Sequence, residues 1–185
     1  LKARQLDQWF SDAGFVGNSI CVGLGSYIKR QGSGYLGNPV IMAKGCYSFR
    51  NDNGSDPKYR ISFGDYNDKA RFVIAQSGVK KVFINMGTND LWEGADKTYE
   101  RYAAFIRDIR ESNPGILFFI EATTPIVKDA EKGTLNNDSV DALNEKMKTL
   151  CAAHTDMFFI DINTPMKDES GGLKPSFSSD KFVPL

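Results

Sequence analysis

The 185-residue chain has one histidine, three cysteines and no dense Lys/Arg tract. Nor does any apolar run approach the roughly 20 residues that a membrane-spanning helix requires. Each shortage excludes something. The cysteines, Cys21, Cys46 and Cys151, have neither CxxC spacing nor a histidine cluster, which argues against zinc and allows at most one disulfide. The 23 basic and 23 acidic residues cancel to zero net charge, so the electrostatic footprint of a nucleic-acid binder is missing and a small or neutral ligand fits better. No metal or organic cofactor is implied, and nothing bears on oligomeric state. The first residue is Leu1 and no signal peptide is visible, which reads as a trimmed N-terminus. A secreted or cell-envelope location is expected ahead of a cytoplasmic one. With 41% hydrophobic and 25% charged residues, the balance is that of an ordinary water-soluble protein, and the length suits one domain.

Short apolar runs recur at near-regular intervals: Phe15 to Val16, Val40 to Ala43, Val82 to Ile84, Ile116 to Ile120 and Met157 to Ile162. Five buried strands are predicted there. Helical periods lie between them. Tyr99, Tyr102, Ala103, Ile106 and Ile109 form one, with Asp96 as N-cap and Pro114-Gly115 as its end; Val140, Leu143, Met147, Leu150 and Cys151 form another, capped by Asp138. Strands alternating with helices predict a parallel sheet covered on both faces, a flavodoxin-like three-layer α/β/α sandwich with a five-stranded, mainly parallel sheet. The stretch from Lys44 to Asn67, rich in Gly, Asn, Asp, Arg and Tyr, is expected to be a long loop or small insertion, and Thr123 to Asn137 a second loop. Both leave strands at the edge where ligands bind in doubly wound sheets.

Two stretches carry chemistry. Gly14-Phe15-Val16-Gly17-Asn18-Ser19-Ile20-Cys21 reads as a strand that turns at Gly17 and enters a helix at Ser19. A hydroxyl is thereby set beside unpaired N–H groups and a helix dipole that stabilise developing negative charge. Equally, Ser19 can be a plain N-cap. Val82-Phe83-Ile84-Asn85-Met86-Gly87-Thr88-Asn89-Asp90 reads as a second strand ending at the same edge. The Asn89 carboxamide there, with the N–H of Gly45 after the second strand, can face an oxyanion. The alternatives are a cap for Asn89 and Asp90 and a tight turn for Gly45.

These blocks, Phe15-Val16-Gly17-Asn18-Ser19, Gly45 and Gly87-Thr88-Asn89-Asp90, resemble in order and spacing those of the SGNH (GDSL) hydrolases, across nearly the whole chain. The resemblance implies Ser19 as nucleophile and an oxyanion hole made of the Ser19 N–H, the Gly45 N–H and the Asn89 side chain. Asn18 stands where an aspartate is more usual. The resemblance further implies an Asp-x-x-His block near the C-terminus, followed by a final helix. Asp180 suits the acid, but no histidine follows it in Ser178-Ser179-Asp180-Lys181-Phe182-Val183-Pro184-Leu185. The expectation is one SGNH-like domain over residues 1–185 without its C-terminal helix, the tail being either truncated or a natural variant, with truncation favoured.

The remaining signals are weaker. His154 is expected at the end of a helix, on the opposite sheet edge from Ser19, interacting with the helix dipole rather than acting as base. Gly32-Ser33-Gly34-Tyr35-Leu36-Gly37 matches GxGxxG but follows a helix and precedes a strand, so it reads as a turn and not a phosphate loop. Cys21 and Cys46 are expected to be buried free thiols, a disulfide between them being the alternative. Trp92 and Tyr47 are candidates to line an acyl or sugar pocket, or else to pack. The expected function is hydrolysis of acyl or acetyl esters of carbohydrates or lipids, the polar 44–67 stretch favouring carbohydrates. The rival is a catalytically silent domain that binds a glycan or a protein through the same cleft. A flavodoxin-like nucleotide binder would share the fold but lacks a phosphate loop.

Overall fold

The computed structural model describes residues 2–178 and 180–184, so Ser179 and the two ends of the expected unit, Leu1 and Leu185, lie outside it. In chain order the elements are α1 (Lys2–Phe10), β1 (Ala13–Gly17), α2 (Ser19–Gln31), β2 (Val40–Ala43), α3 (Phe49–Asn53), β3 (Ile61–Phe63) and β4 (Tyr66–Asp68). They continue with α4 (Ala70–Ser77), β5 (Lys81–Asn85), α5 (Ala95–Ser112), β6 (Leu117–Glu121), α6 (Asn137–Ala152) and β7 (Met157–Ile160). Five strands pair in the order β2-β1-β5-β6-β7, all parallel, as the alternation of apolar runs and helical periods requires.

Alternation along each strand divides the core in two. Val16, Met42, Ile84, Phe118, Ile120 and Met157 face the larger cluster, which is closed by residues of α4, α5 and α6 such as Ile74, Tyr102, Ile106, Leu143 and Met147. The opposite face carries a row that runs across all five strands: Ile41, Phe15, Phe83, Phe119 and Phe158 are successive register partners. Their phenyl rings stack with centroids 4.7, 4.6 and 5.1 Å apart. Parallel in-register strands set such neighbours about 4.8 Å apart, so identical aromatic side chains at one level stack without rotamer strain. Cys21 and Leu24 of α2 and Phe10 of α1 cover part of this row, and Trp9 of α1 meets Phe119 at 5.5 Å.

Several local expectations need correction. Gly94, not Asp96, is the N-cap of α5, and Asn136, not Asp138, caps α6 through its Oδ1, which accepts the Ser139 N–H at 2.8 Å. Both aspartates sit instead within the first turn, where a negative charge complements the helix dipole. Of the two alternatives for the 44–67 stretch, the small insertion holds: it folds into α3, a single 3-10 turn and the β3/β4 hairpin, which turns at Gly64 with φ of 55°. Strands of three residues are too short for alternation to betray them. The Gly32–Gly37 stretch is a turn, as expected, with Leu36 within it and Asn38 just after it left-handed, and it packs on α1: a Cβ on Gly37 would lie 2.1 Å from the Asp7 carbonyl oxygen.

Candidate active site

The site is assembled at the carboxyl edge of the sheet from three connections that leave adjacent strands. Gly17, the last residue of β1, is in register with Ala43 on one side and Asn85 on the other. Ser19 and Gly45 each follow this level by two residues, and Asn89 by four. Gly17 must be glycine because α2 begins hard against the sheet. A Cβ there would meet the Cys21 Cβ at 2.6 Å and the Asn85 carbonyl oxygen at 2.7 Å.

Asn18, not Ser19, is the N-cap of α2. Its backbone is extended and its Oδ1 accepts the Ile20 N–H at 3.0 Å, while its carbonyl accepts the Val22 N–H at 3.0 Å. Ser19 is therefore the first residue inside the helix. It is exposed, and among the described residues its hydroxyl makes no hydrogen bond. The capping role open to Ser19 on sequence grounds is taken by its buried neighbour.

The β2 connection is tied to this turn by the Lys44 N–H, which donates to the Gly17 carbonyl at 3.2 Å; the Tyr47 N–H closes a turn onto the Lys44 carbonyl at 3.1 Å. Gly45 is exposed at the head of that turn, with Cys46 after it at φ of 57°. A Cβ on Gly45 would meet nothing within 4 Å, so the protein itself imposes no steric need for glycine there.

The β5 connection then fastens both. Asn89 Nδ2 donates to the Tyr47 carbonyl at 3.0 Å, which leaves the second amide hydrogen for another acceptor. Buried Asp90 accepts the N–H groups of Phe49 and Arg50, at 3.1 and 3.3 Å. Burial raises the Asp90 pKa from the ordinary 3.8 to about 6, against the lowering effect of those two N–H groups and of Arg101 at 3.9 Å. Behind this turn, Thr123 Oγ1 donates to the Met86 carbonyl at 3.0 Å, and a Cβ on Gly87 would come within 2.8 Å of that same hydroxyl oxygen. The 123–137 connection is itself held by two asparagines seven residues apart on α6. Asn144 exchanges two hydrogen bonds with the backbone of Thr123, and Asn137 two with Ile126.

Asp180 is tied to its own turn near the C-terminal end of the described residues. Its Oδ1 accepts the N–H groups of Phe182 and Val183 and the Ser178 hydroxyl, at 2.8, 3.1 and 3.1 Å, which lowers its pKa. Among the described residues no hydrogen bond joins it to Ser19, Gly45 or Asn89. His154 is exposed after α6 and ahead of β7, at the amino edge of the sheet. The three cysteines are free; Cys46 is exposed rather than buried.

Beside Asn89 opens a cleft of about 570 Å³ lined by Cys46, Ser48, Arg50, Lys58, Tyr59 and Trp92 among others. Trp92 is half exposed in it. Tyr47 is not: it is fully buried, its hydroxyl accepting the Ala70 N–H at 3.0 Å and donating to buried Asp52 at 2.7 Å. Its backbone carbonyl serves the site while its ring serves the core. The second aromatic of the cleft is Tyr59, and no sequence signal singles out either it or Arg50; only the polarity of the 44–67 stretch points to them.

A family model described as GDSL-like Lipase/Acylhydrolase family matches residues 15–183. The chain is also similar in fold to solved structures of low identity. A GDSL-like lipase from Bacteroides thetaiotaomicron shares 16% identity at a TM-score of 0.66, over 94% of this chain and 79% of that one. A lipase from a goat rumen metagenome shares 16% at 0.59, over 93% and 89%. A mutant of an acetyl-xylooligosaccharide esterase from Geobacillus stearmophilus shares 13% at 0.60, over 94% and 86%. No curated protein matches the chain.

Proposed function

Since the chain belongs to the GDSL-like lipase/acylhydrolase family, we propose that it hydrolyses short-acyl esters of polar, carbohydrate-like alcohols with Ser19 as nucleophile. The observation that carries this reading is the division of labour at the head of α2: Asn18 caps the helix, so Ser19 keeps an exposed hydroxyl with no partner of its own among the described residues. Ser19 Oγ attacks the acyl carbon, its hydroxyl proton passing through solvent to the alcohol oxygen that leaves; the carbonyl oxygen becomes an oxyanion facing the Ser19 and Gly45 N–H groups and the free amide hydrogen of Asn89. Collapse expels the alcohol, and water then releases the acid from the acyl-enzyme.

The choice of alcohol rests on the cleft beside Asn89. No aliphatic side chain lines it. A long acyl chain gains about 0.8 kcal/mol for each methylene it buries against apolar walls, and this cleft offers only two aromatic faces. Hydroxyl, amide, guanidinium and ammonium groups suit a polyol better. The rival reading, a silent domain that binds a glycan in the same cleft, is favoured by one observation: the sequence's only histidine, His154, is at the far edge of the sheet. A serine without a base keeps only the residual catalysis of its oxyanion hole. Hydrolysis of an aryl acetate by the protein and by its Ser19→Ala variant decides. Turnover that disappears with the hydroxyl supports the hydrolase, and equal background rates sink it.

A further inference from the structure

Among the described residues no acid lies within ion-pairing distance of the Arg50 guanidinium, although its charge contributes to the lowered pKa of Glu93. Its backbone is fixed, because the Arg50 N–H is held by Asp90 at 3.3 Å, and its guanidinium carbon lies 5.4 Å from the Trp92 ring centroid. Both side chains are exposed and both line the cleft beside Asn89. The acids nearby are engaged elsewhere. Asp56 pairs with Lys58 at 3.1 Å, Glu93 is held by both terminal nitrogens of Arg101, and Asp90 is buried beneath. A guanidinium backed by an indole offers its donor fork edge-on, the geometry that receives two oxygens of one planar or tetrahedral anion. An ordinary solvated arginine would not need the ring or the anchored backbone.

We infer that Arg50, supported by Trp92, binds an oxyanion carried on the alcohol part of the ester, a carboxylate or a phosphate monoester, and that the cleft thereby selects acidic polyol esters over neutral ones. This rests on the cleft being the substrate cleft of the proposed hydrolase. Among the side chains that line the cleft, Lys58 and Asp56 pair with one another, which leaves the Arg50 guanidinium as the remaining charged group.

The test uses the Ser19→Ala protein, so that binding is read without turnover. It is titrated by NMR with O-acetylated methyl glucoside, the corresponding methyl glucuronide, and the corresponding phosphate monoester. The expected result is that one or both acidic ligands bind about tenfold more tightly than the neutral one at low ionic strength, the ratio shrinking as salt screens the pair. Arg50→Gln should abolish the preference. Arg50→Lys, which keeps the charge but not the fork, should retain only part of it. The stronger of the two acidic ligands identifies the anion. Equal binding of all three, binding of none, or a preference that survives Arg50→Gln overturns the inference. The aryl acetate assay fails or succeeds separately. Ser19-dependent turnover without acid preference leaves the hydrolase standing and removes Arg50's role, whereas acid preference without turnover removes the hydrolase and keeps an acidic-glycan binding cleft.

Discussion

Replacing Asp90 with Asn tests whether burial or hydrogen bonding dominates at the carboxylate that joins the β5 connection to α3. The side chain is 1% exposed, and its pKa is raised from 3.8 to about 6 because desolvation outweighs two backbone donors and a distant guanidinium. A folded value above the unfolded one means that protonation favours the folded chain. The contribution is therefore fully present below about 3.8 and is lost as pH rises through about 6. The whole shift corresponds to about 3 kcal/mol, of which about 1.3 kcal/mol falls between about pH 7 and pH 5. The carboxamide of the Asp90→Asn variant cannot titrate, yet it keeps an acceptor for one of the two N–H groups. Urea unfolding of both proteins across this range, compared as a difference at each pH, isolates the group from other titrations. The wild type should gain on the variant as the solution is acidified. A flat difference, or one with the opposite slope, would show that the donors from Phe49 and Arg50, with Arg101, hold the carboxylate charged, and would refute the weighing of burial above them.

Ser19→Ala should leave unfolding free energy within about 0.5 kcal/mol of wild type, because the exposed hydroxyl has no partner among the described residues; a larger loss by urea titration would return the serine to a structural role. Gly17→Ala should cost at least about 1–3 kcal/mol, roughly the price of overpacking, since its Cβ would sit 2.7 Å from the rigid Asn85 carbonyl. Gly45→Ala, by contrast, should be neutral in stability within about 0.5 kcal/mol, as its Cβ meets nothing within 4 Å, so any change in ester turnover would be an effect on the substrate. Asn144→Ala should cost about 1–3 kcal/mol in thermal or urea unfolding. It strands the buried Thr123 N–H, while the Thr123 carbonyl still accepts from Asn163 Nδ2 at 2.9 Å.

The five sheet strands are legible because each is a short apolar run with at least one face in the core, and the helices α5 and α6 because their buried residues recur every three or four positions. Less was visible where a local rule competes with a tertiary one. Asp96 and Asp138 satisfy the composition of a cap, but the residue that turns the chain into each helix lies two positions earlier. The short helix α4 went unread because its eight residues give periodicity little to act on, although Ala70, Val73 and Ile74 form a buried face. Tyr47 shows the limit most sharply. In the sequence it is a candidate either to line a pocket or to pack, and different groups of the residue do different things, the carbonyl meeting Asn89 and the ring lying in the core beside Asp52.

The same limit explains how the site edge is built. Once the chain leaves a strand, its N–H and C=O groups lose their ladder partners and must find others. Here polar side chains supply them: Asn18 to Ile20, Asn89 to Tyr47, Asp90 to Phe49 and Arg50, Asn144 to Thr123 and Asn137 to Ile126. Three of these bonds stitch the β2 connection to the β5 connection, which is how a peptide N–H at Gly45 and an amide at Asn89 come to be fixed relative to one another. The Asn89 carboxamide is thus held by one hydrogen and presents the other. An oxyanion donor must be oriented before the charge develops, since reorienting it during the reaction would cost the stabilisation it provides. The asparagines and aspartate that look like turn formers in the sequence are the groups that would provide this orientation in the proposed hydrolase.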